Sequence, residues 1–577
     1  MALSRVNYLM RRAARLLCLL LTLLLLVGCA PSGANTEPTA APESSGAALV
    51  TQPTEPAPTV PAVAEKTTEQ VLAEINALGT SPDDNYRTYY EIFVYSFCDS
   101  NGDGIGDLQG VISKLDYLQE LGIHGIWLMP IHPSTSYHKY NVSDYYAIDP
   151  QYGTMEDFEQ LIAECDKRDI HVIIDLVVNH SGSENQWFKE ATNYLRSLPK
   201  GKKPSAKDCK YFDYYFFSKE SKGNSSRVVN GTDWYYEGMF DYAMPDLNLG
   251  NPEVRAEIED IMRFWIDKGV AGFRLDAAKE FYSGNLAANV EVLNWIQTTA
   301  TSIKPDCYLV AEVWESFGQI TNYYDSGITS IFNFAFGNSD GKIASVIRAA
   351  GNATVVSTYA TALEKADSAY RGKNPNYIDA PFLSNHDVGR IAGFAGRDEN
   401  KMKMAAAMNL FMGGSAFIYY GEEIGMPGSG NDPSKRAPMY WNAARDNGTT
   451  NPPPECQLPE EYELGSLEEQ RNDDTSLYNY YRQAIAIRNA LPQIPRGIPT
   501  AETGLNIGCV SAYRKTWNDQ SCIILMNIDS KEATSDLSNY SDWELAASLS
   551  ADGNPVELSG STLNLPAYGV AILLPKA

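Results

Sequence analysis

From Tyr86 onward, short β-rich runs alternate with stretches in which apolar residues return every three or four positions, the pattern of a parallel sheet joined by crossover helices. The runs predict strands over 91–97, 125–129, 172–178, 272–276, 308–312, 330–334, 381–384 and 416–420. Between them, helical periodicity covers 111–121, 155–168, 252–268, 290–303 and 401–411, with Pro252 placed for a first turn and Gly122 and Gly269 placed for helix stops. Eight strands is the number that closes a (β/α)8 barrel, so the α/β reading is a TIM barrel, with an open doubly wound sheet as the alternative.

One spacing is irregular: 178 and 272 lie too far apart for a loop and a single helix. Residues 181–245, rich in Tyr, Phe, Lys, Asn and Gly, fill that gap as an inserted irregular domain after the third strand. Beyond a helix at 477–488 come only short strands, including 509–513, 522–527 and 570–574. The barrel is therefore assigned to 86–180 and 246–495, and a C-terminal antiparallel β-sandwich domain to 496–577.

At the other end, Arg5, Arg11, Arg12 and Arg15 precede an apolar run over 16–27, the layout of an export signal rather than a membrane-spanning helix. The run closes in Leu26-Val27-Gly28-Cys29, which resembles the lipobox of bacterial lipoproteins, with a plain secretory signal as the alternative. The resemblance implies a signal peptide over 1–28, lipidation of Cys29 and attachment to the outer face of the cell membrane. Residues 29–85 are read as a disordered Pro/Thr/Ala-rich tether and N-terminal extension, too poor in apolar side chains near Cys29 to offset the entropy of ordering.

Lys+Arg 46 against Asp+Glu 72 gives a net charge of −26, which argues against nucleic acid or an anionic membrane surface as partner and leaves the lipid as the only membrane hold. Nine Cys without a CxxC pair argue against a zinc site and a disulfide framework. The 35 Tyr suit stacking on flat apolar faces such as sugar rings, or simply a large aromatic core.

Reactive side chains in a barrel belong at the C-terminal ends of strands. The fourth strand ends Arg274-Leu275-Asp276, and the period of two puts guanidinium and carboxylate on one face, which holds the acid ionised as a nucleophile requires. The fifth ends Val310-Ala311-Glu312, where an acid after an apolar run is desolvated and suits proton donation. The seventh ends Ser384-Asn385-His386-Asp387, a third acid beside an imidazole. Any one of the three could be a structural salt bridge; three at the strand ends of one barrel point to catalysis.

The third strand adds Asp175-Leu176-Val177-Val178-Asn179-His180. Together with Met244-Pro245-Asp246-Leu247-Asn248, these segments resemble the ordered signature regions of the α-amylase family of glycoside hydrolases, over about Tyr90 to the chain end. The resemblance implies Asp276 as nucleophile, Glu312 as general acid/base and Asp387 as transition-state stabiliser, with Arg274, His180 and His386 around the sugar at the cleaved bond. Tyr140 resembles the family's stacking tyrosine, although Asn141 stands where Asp is commoner. Ala277 and Lys279 resemble members that cut α-1,4 bonds in polysaccharides, whereas Met244 and Glu280 are similar to neopullulanase-type relatives, an intermediate placement that also touches the oligo-1,6-glucosidases.

Asp99, Asn101, Asp103 and Asp107 alternate with glycines in a tight loop, an oxygen-rich arrangement for a hard cation, though not an EF-hand because Gly110 stands at the twelfth position. The resemblance implies structural calcium on these four side chains and the Ile105 carbonyl. The expected activity is retaining hydrolysis of α-1,4-glucosidic bonds in starch or maltooligosaccharides by a monomer. Neopullulanase/cyclomaltodextrinase, α-glucosidase or glucanotransferase specificity is the alternative, and a non-catalytic sugar-binding surface lipoprotein is the reading from another class.

Overall fold

The computed structural model describes residues 66–457 and 462–576; the expected signal peptide, the expected lipidation site Cys29 and the expected tether as far as residue 65 lie outside them. Seven strands form one parallel sheet: β1 (Thr88–Ile92), β2 (Gly125–Leu128), β3 (His171–Leu176), β4 (Gly272–Leu275), β5 (Tyr308–Ala311), β6 (Ser330–Ile331) and β7 (Ala416–Tyr419). They run β7-β1-β2-β3-β4-β5-β6. The ring is closed by residues 380–382, which make single parallel bridges on either side, Phe332 to Ala380 and Phe382 to Phe417. The eighth position of the barrel is thus present without a regular ladder, because only isolated bonds such as Phe417 N–H to Pro381 C=O, 2.8 Å, hold it.

All five residues of β1 are buried, so alternation cannot reveal its limits. The expected run over 91–97 is displaced: pairing begins at Thr88, and after Ile92 the chain turns into a short helix, Val94–Phe97, whose apolar residues imitate a continuing strand. The helix expected over 111–121 is likewise two helices, Leu108–Ser113 and Leu115–Leu121, with Asp107 capping the first through Gly110 N–H. Amphipathic helices Met155–Asp166, Pro252–Asp267 and Leu286–Ile303 cover the barrel, each burying one apolar stripe, as Val254, Ile258, Ile261 and Trp265 do.

The insertion carries a helix, Gln186–Ser197, and a small three-stranded antiparallel sheet. It is stitched to the barrel mouth by bridges from His180 to Asp246 and from Tyr215 to Leu247. The C-terminal domain is a five-stranded antiparallel sheet with a second sheet of three strands. The end of the segment expected to be disordered is ordered instead: a capped helix, Thr68–Asn76, lies along helix Leu477–Ala490, tied by Thr68 N–H to Asp474 (2.8 Å) and by Arg482 to Glu69 (2.8 Å).

Candidate active site

Strands β3, β4 and β5 lie side by side, and the residue after each of the last two stays in the ladder: Asp276 N–H reaches Leu176 C=O at 3.4 Å and Glu312 N–H reaches Leu275 C=O at 3.0 Å. The two acids therefore emerge at neighbouring points of the barrel's C-terminal mouth. Between them Ala277 adopts φ 47°, a left-handed conformation that costs a β-carbon-bearing residue about 1–2 kcal/mol. The turn aims the Ala277 N–H at Glu312 Oε2, 2.8 Å away.

Arg274, 1% exposed, organises this half of the site. Its Nη1 donates to Asp175 and, at 2.6 Å, to Asp276 Oδ1, while Nη2 pairs with Glu312 Oε2 at 3.0 Å. Trp127 lies against the guanidinium, 5.1 Å from ring centre to Cζ, and its indole N–H donates to Asp175 at 2.8 Å. One cation thus serves three carboxylates. Burial raises the Glu312 carboxyl above its ordinary range; Arg274 pulls it back, and the charges of Asp276 and Asp387 add to the rise. Burial raises Asp175 as well, against the same guanidinium.

The other half centres on Asp387, whose side chain keeps 31% of its surface open. Burial alone would raise its carboxyl, but His386 (Nε2 to Oδ2, 3.0 Å) and Arg436 (Nη2 to Oδ1, 2.7 Å) outweigh burial and hold it far below the usual carboxylate range. His386 is fully buried, which alone would lower its pKa, yet Asp387 on one side and Glu91 on the other (Nδ1 to Oε1, 2.5 Å) lift it to about 9. At neutral pH it is an imidazolium. The Tyr140 ring stacks on it at 5.4 Å and 21°, and the Tyr140 hydroxyl lies 2.8 Å from His386 Nε2 and 3.4 Å from Arg274 Nη1, joining the two halves.

The structure thus brings Asp276, Glu312, Arg274, Tyr140, His386 and Asp387 into one hydrogen-bonded network. His180 stands beside it, its Nε2 3.2 Å from the Tyr140 carbonyl, with the half-exposed Phe240 of the insertion edge-on to its ring. Lys279 is outside the network at the rim, 3.7 Å from Glu280 and 3.6 Å from Glu315. Asn141 is buried and its amide is spent on Ser134 and Thr135 (2.8 and 2.6 Å).

Three participants were absent from the sequence-derived site: Asp175, Glu91 and Arg436. Asp175 shares the strand phase of Asn179 and was legible as a further in-phase acid. Glu91 sits in a wholly buried strand, where a lone acid is itself a signal. Arg436 caps a four-residue helix, Asp432–Lys435, too short to show a period that would place it. Glu422 and Glu423, at the turn after β7, are fully interior; Ser384 and Tyr481 donate to Glu422 (2.7 and 3.1 Å), and burial lifts its carboxyl to about 8.

In the acidic loop, Asp99 accepts N–H bonds from Asn101, Gly102 and Gly104, Asn101 accepts from Asp103, and Asp103 from Ile105, all between 2.7 and 3.0 Å. The donor set is all oxygen, which fits a hard cation. Asp107 is the exception in its duties, since it already caps a helix and binds Ser100. Among the described residues, the group of three acidic or histidine side chains with ligand atoms within 4.8 Å of one another is Asp83, Asp169 and His171, where the Arg87 guanidinium already sits.

Comparison with known proteins accords with this geometry. The family model described as alpha amylase, catalytic domain, matches residues 91–497. Alpha-amylase 3 of Dictyoglomus thermophilum is 38% identical over 460 residues, 78% of this chain and 86% of its own. Glucan 1,6-alpha-glucosidase of Streptococcus pneumoniae is 29% identical over 514 residues, 77% of this chain and 91% of its own. Among solved structures, Eubacterium rectale Amy13B superposes with a TM-score of 0.85 at 43% identity, covering 89% of this chain and all of that one. With a family model spanning most of the barrel and a relative of this identity, the chain belongs to the α-amylase family of glycosidases.

Proposed function

We propose that this glycosidase hydrolyses α-1,4-glucosidic bonds in starch and maltooligosaccharides with retention of anomeric configuration. The observation that carries the reading is the single guanidinium of Arg274 set between Asp276 and Glu312, with Asp387 opposite on its own cation pair. Glu312, whose carboxyl burial shifts toward its neutral form, gives a proton to the glycosidic oxygen as that bond breaks, while the Asp276 carboxylate forms a bond to the anomeric carbon. Water then attacks the same carbon, losing its proton to Glu312, and Asp276 leaves as carboxylate. Asp387, fixed by His386 and Arg436, hydrogen-bonds hydroxyls of the sugar held there, most strongly as its ring flattens, which is differential binding of the transition state.

Starch incubated with the enzyme is expected to give maltooligosaccharides whose newly formed reducing ends are α by proton NMR before mutarotation. β products would contradict retention. The similarity to a glucan 1,6-alpha-glucosidase favours the second reading, α-1,6 cleavage, and release of glucose from isomaltose with starch left intact would establish it instead.

The same reading assigns calcium to Asp99, Asn101, Asp103, Asp107 and the Ile105 carbonyl, where it would stiffen the loop that leads into helix Leu108–Ser113 and take no part in the chemistry. A chelator should lower the melting temperature by several degrees, and added calcium should restore it; coincident melting curves would refute the assignment.

A further inference from the structure

Glu91 is the one charged residue of β1, a strand whose five residues are all buried. A carboxylate in such a place is costly unless a partner compensates it. Its partner is His386: Glu91 Oε1 lies 2.5 Å from Nδ1 of the ring and 3.4 Å from the His386 backbone N–H. Burial pushes the Glu91 carboxyl up, and His386 does most to pull it back.

Asp387 takes the other edge of the same ring, with Nε2 to Oδ2 at 3.0 Å. A ring with one proton would turn a bare lone pair toward one of these two carboxylates, whereas a ring with two protons donates to both. The remaining neighbours do not impose that state. The Tyr140 ring stacks on His386, and its hydroxyl, 2.8 Å from Nε2, serves equally as donor or acceptor. Trp127 of β2 meets the ring edge-on at 5.7 Å. Arg436 donates through Nε to the His386 carbonyl at 3.1 Å, not to the ring. Arg274 of β4 and Asp175 of β3 are paired with each other, and His138, next to Tyr140, is held neutral by burial at a pKa of about 4.

We propose that Glu91 is a positioning residue: by setting a second carboxylate against Nδ1 it obliges the His386 ring to keep both protons, so that the Nε2–H holds Asp387 aimed at the sugar. The proposal rests on the hydrolytic reading above and deepens it.

Glu91→Gln removes the charge and keeps the shape. Because Oε1 faces both the backbone N–H and Nδ1 of His386, the amide oxygen takes its place. A neutral ring then carries its proton on Nδ1 and turns its lone pair toward Asp387. Glu91 is one of the two acids that lift His386 to about 9, so the variant ring loses its second proton at a lower pH. The deficit in kcat/KM on maltooligosaccharides, variant against unmodified enzyme, should be about tenfold larger at pH 8 than at pH 5, because a charge-assisted bond to Asp387 is lost. Glu312, set by burial, Arg274, Asp276 and Asp387, limits both enzymes alike and divides out of the comparison. An equal deficit at the two pH values, or none at either, overturns the proposal.

Where Glu91→Gln fails to fold, nitrogen-15 NMR of the six histidines of the unmodified enzyme decides. A ring with both nitrogens protonated at pH 8 is expected, and a spectrum without one overturns the proposal. Should the unmodified enzyme cleave no glucan, the hydrolytic reading fails by itself, and the same spectrum still judges the ring.

Discussion

Glu312→Gln lowers kcat on maltooligosaccharides by roughly 10²- to 10⁴-fold, the share that general acid catalysis usually supplies, and leaves the fold intact. The fold survives for an electrostatic reason. Arg274 serves three acids, and an amide matches in shape the neutral carboxyl that burial favours at Glu312, so Asp175 and Asp276 keep their guanidinium. The amide oxygen can still accept the Ala277 N–H, now 2.8 Å from Glu312. Because burial raises the Glu312 carboxyl, its contribution to stability is full below its unfolded pKa and is lost as pH rises through its folded one. At neutral pH the substitution is therefore neutral or stabilising. Steady-state rates and a melting curve check both halves, and a variant that is inactive because it has unfolded would contradict the account.

Arg274→Ala has the opposite profile. It strands Asp175, Asp276 and Glu312 without their counter-ion, and breaking a buried pair from one side typically costs about 3–5 kcal/mol. Activity goes as well, since the acids lose the group that fixes their spacing and unequal charge. The dependence on pH identifies the cause. With the cation gone, the Asp175 and Glu312 carboxyls, which burial already raises, lose the charge that pulls them back and rise further above their unfolded values. Each then favours folding only while protonated, and the deficit against the unmodified enzyme grows as pH rises. Denaturation midpoints compared at pH 5 and pH 8 should show the larger deficit at pH 8. An equal deficit at both would mean that lost packing of the Arg274 stem over Trp127, not charge, is responsible.

How far the molecule can be read from its residues depends on what each position reports. Arg274, Asp276 and Glu312 end apolar runs, so burial of a strand and exposure of its tip are both written locally. His386 and Asp387 follow a segment that never forms a ladder, yet the acid beside an imidazole still marked the position. Glu91, by contrast, lies in a strand whose every residue is buried, and Val94–Phe97 reads as more of the same strand although it coils. Arg436 reaches Asp387 from a stretch without periodicity, so its role is purely tertiary. The contact of Tyr95 with Tyr137 is tertiary for the same reason: the helix Val94–Phe97 and the segment after β2 meet because β1 and β2 pair in parallel.

The central claim is that Asp276 is the group that bonds to the sugar while Glu312 and Asp387 attend the same ring. Incubating the enzyme with a fluorinated glucosyl fluoride, whose fluorine slows breakdown of a glycosyl-enzyme ester, and sequencing the labelled peptide by mass spectrometry addresses it directly. One sugar is expected per chain, on Asp276. Label on Glu312, on Asp387 or on any other residue would contradict the account.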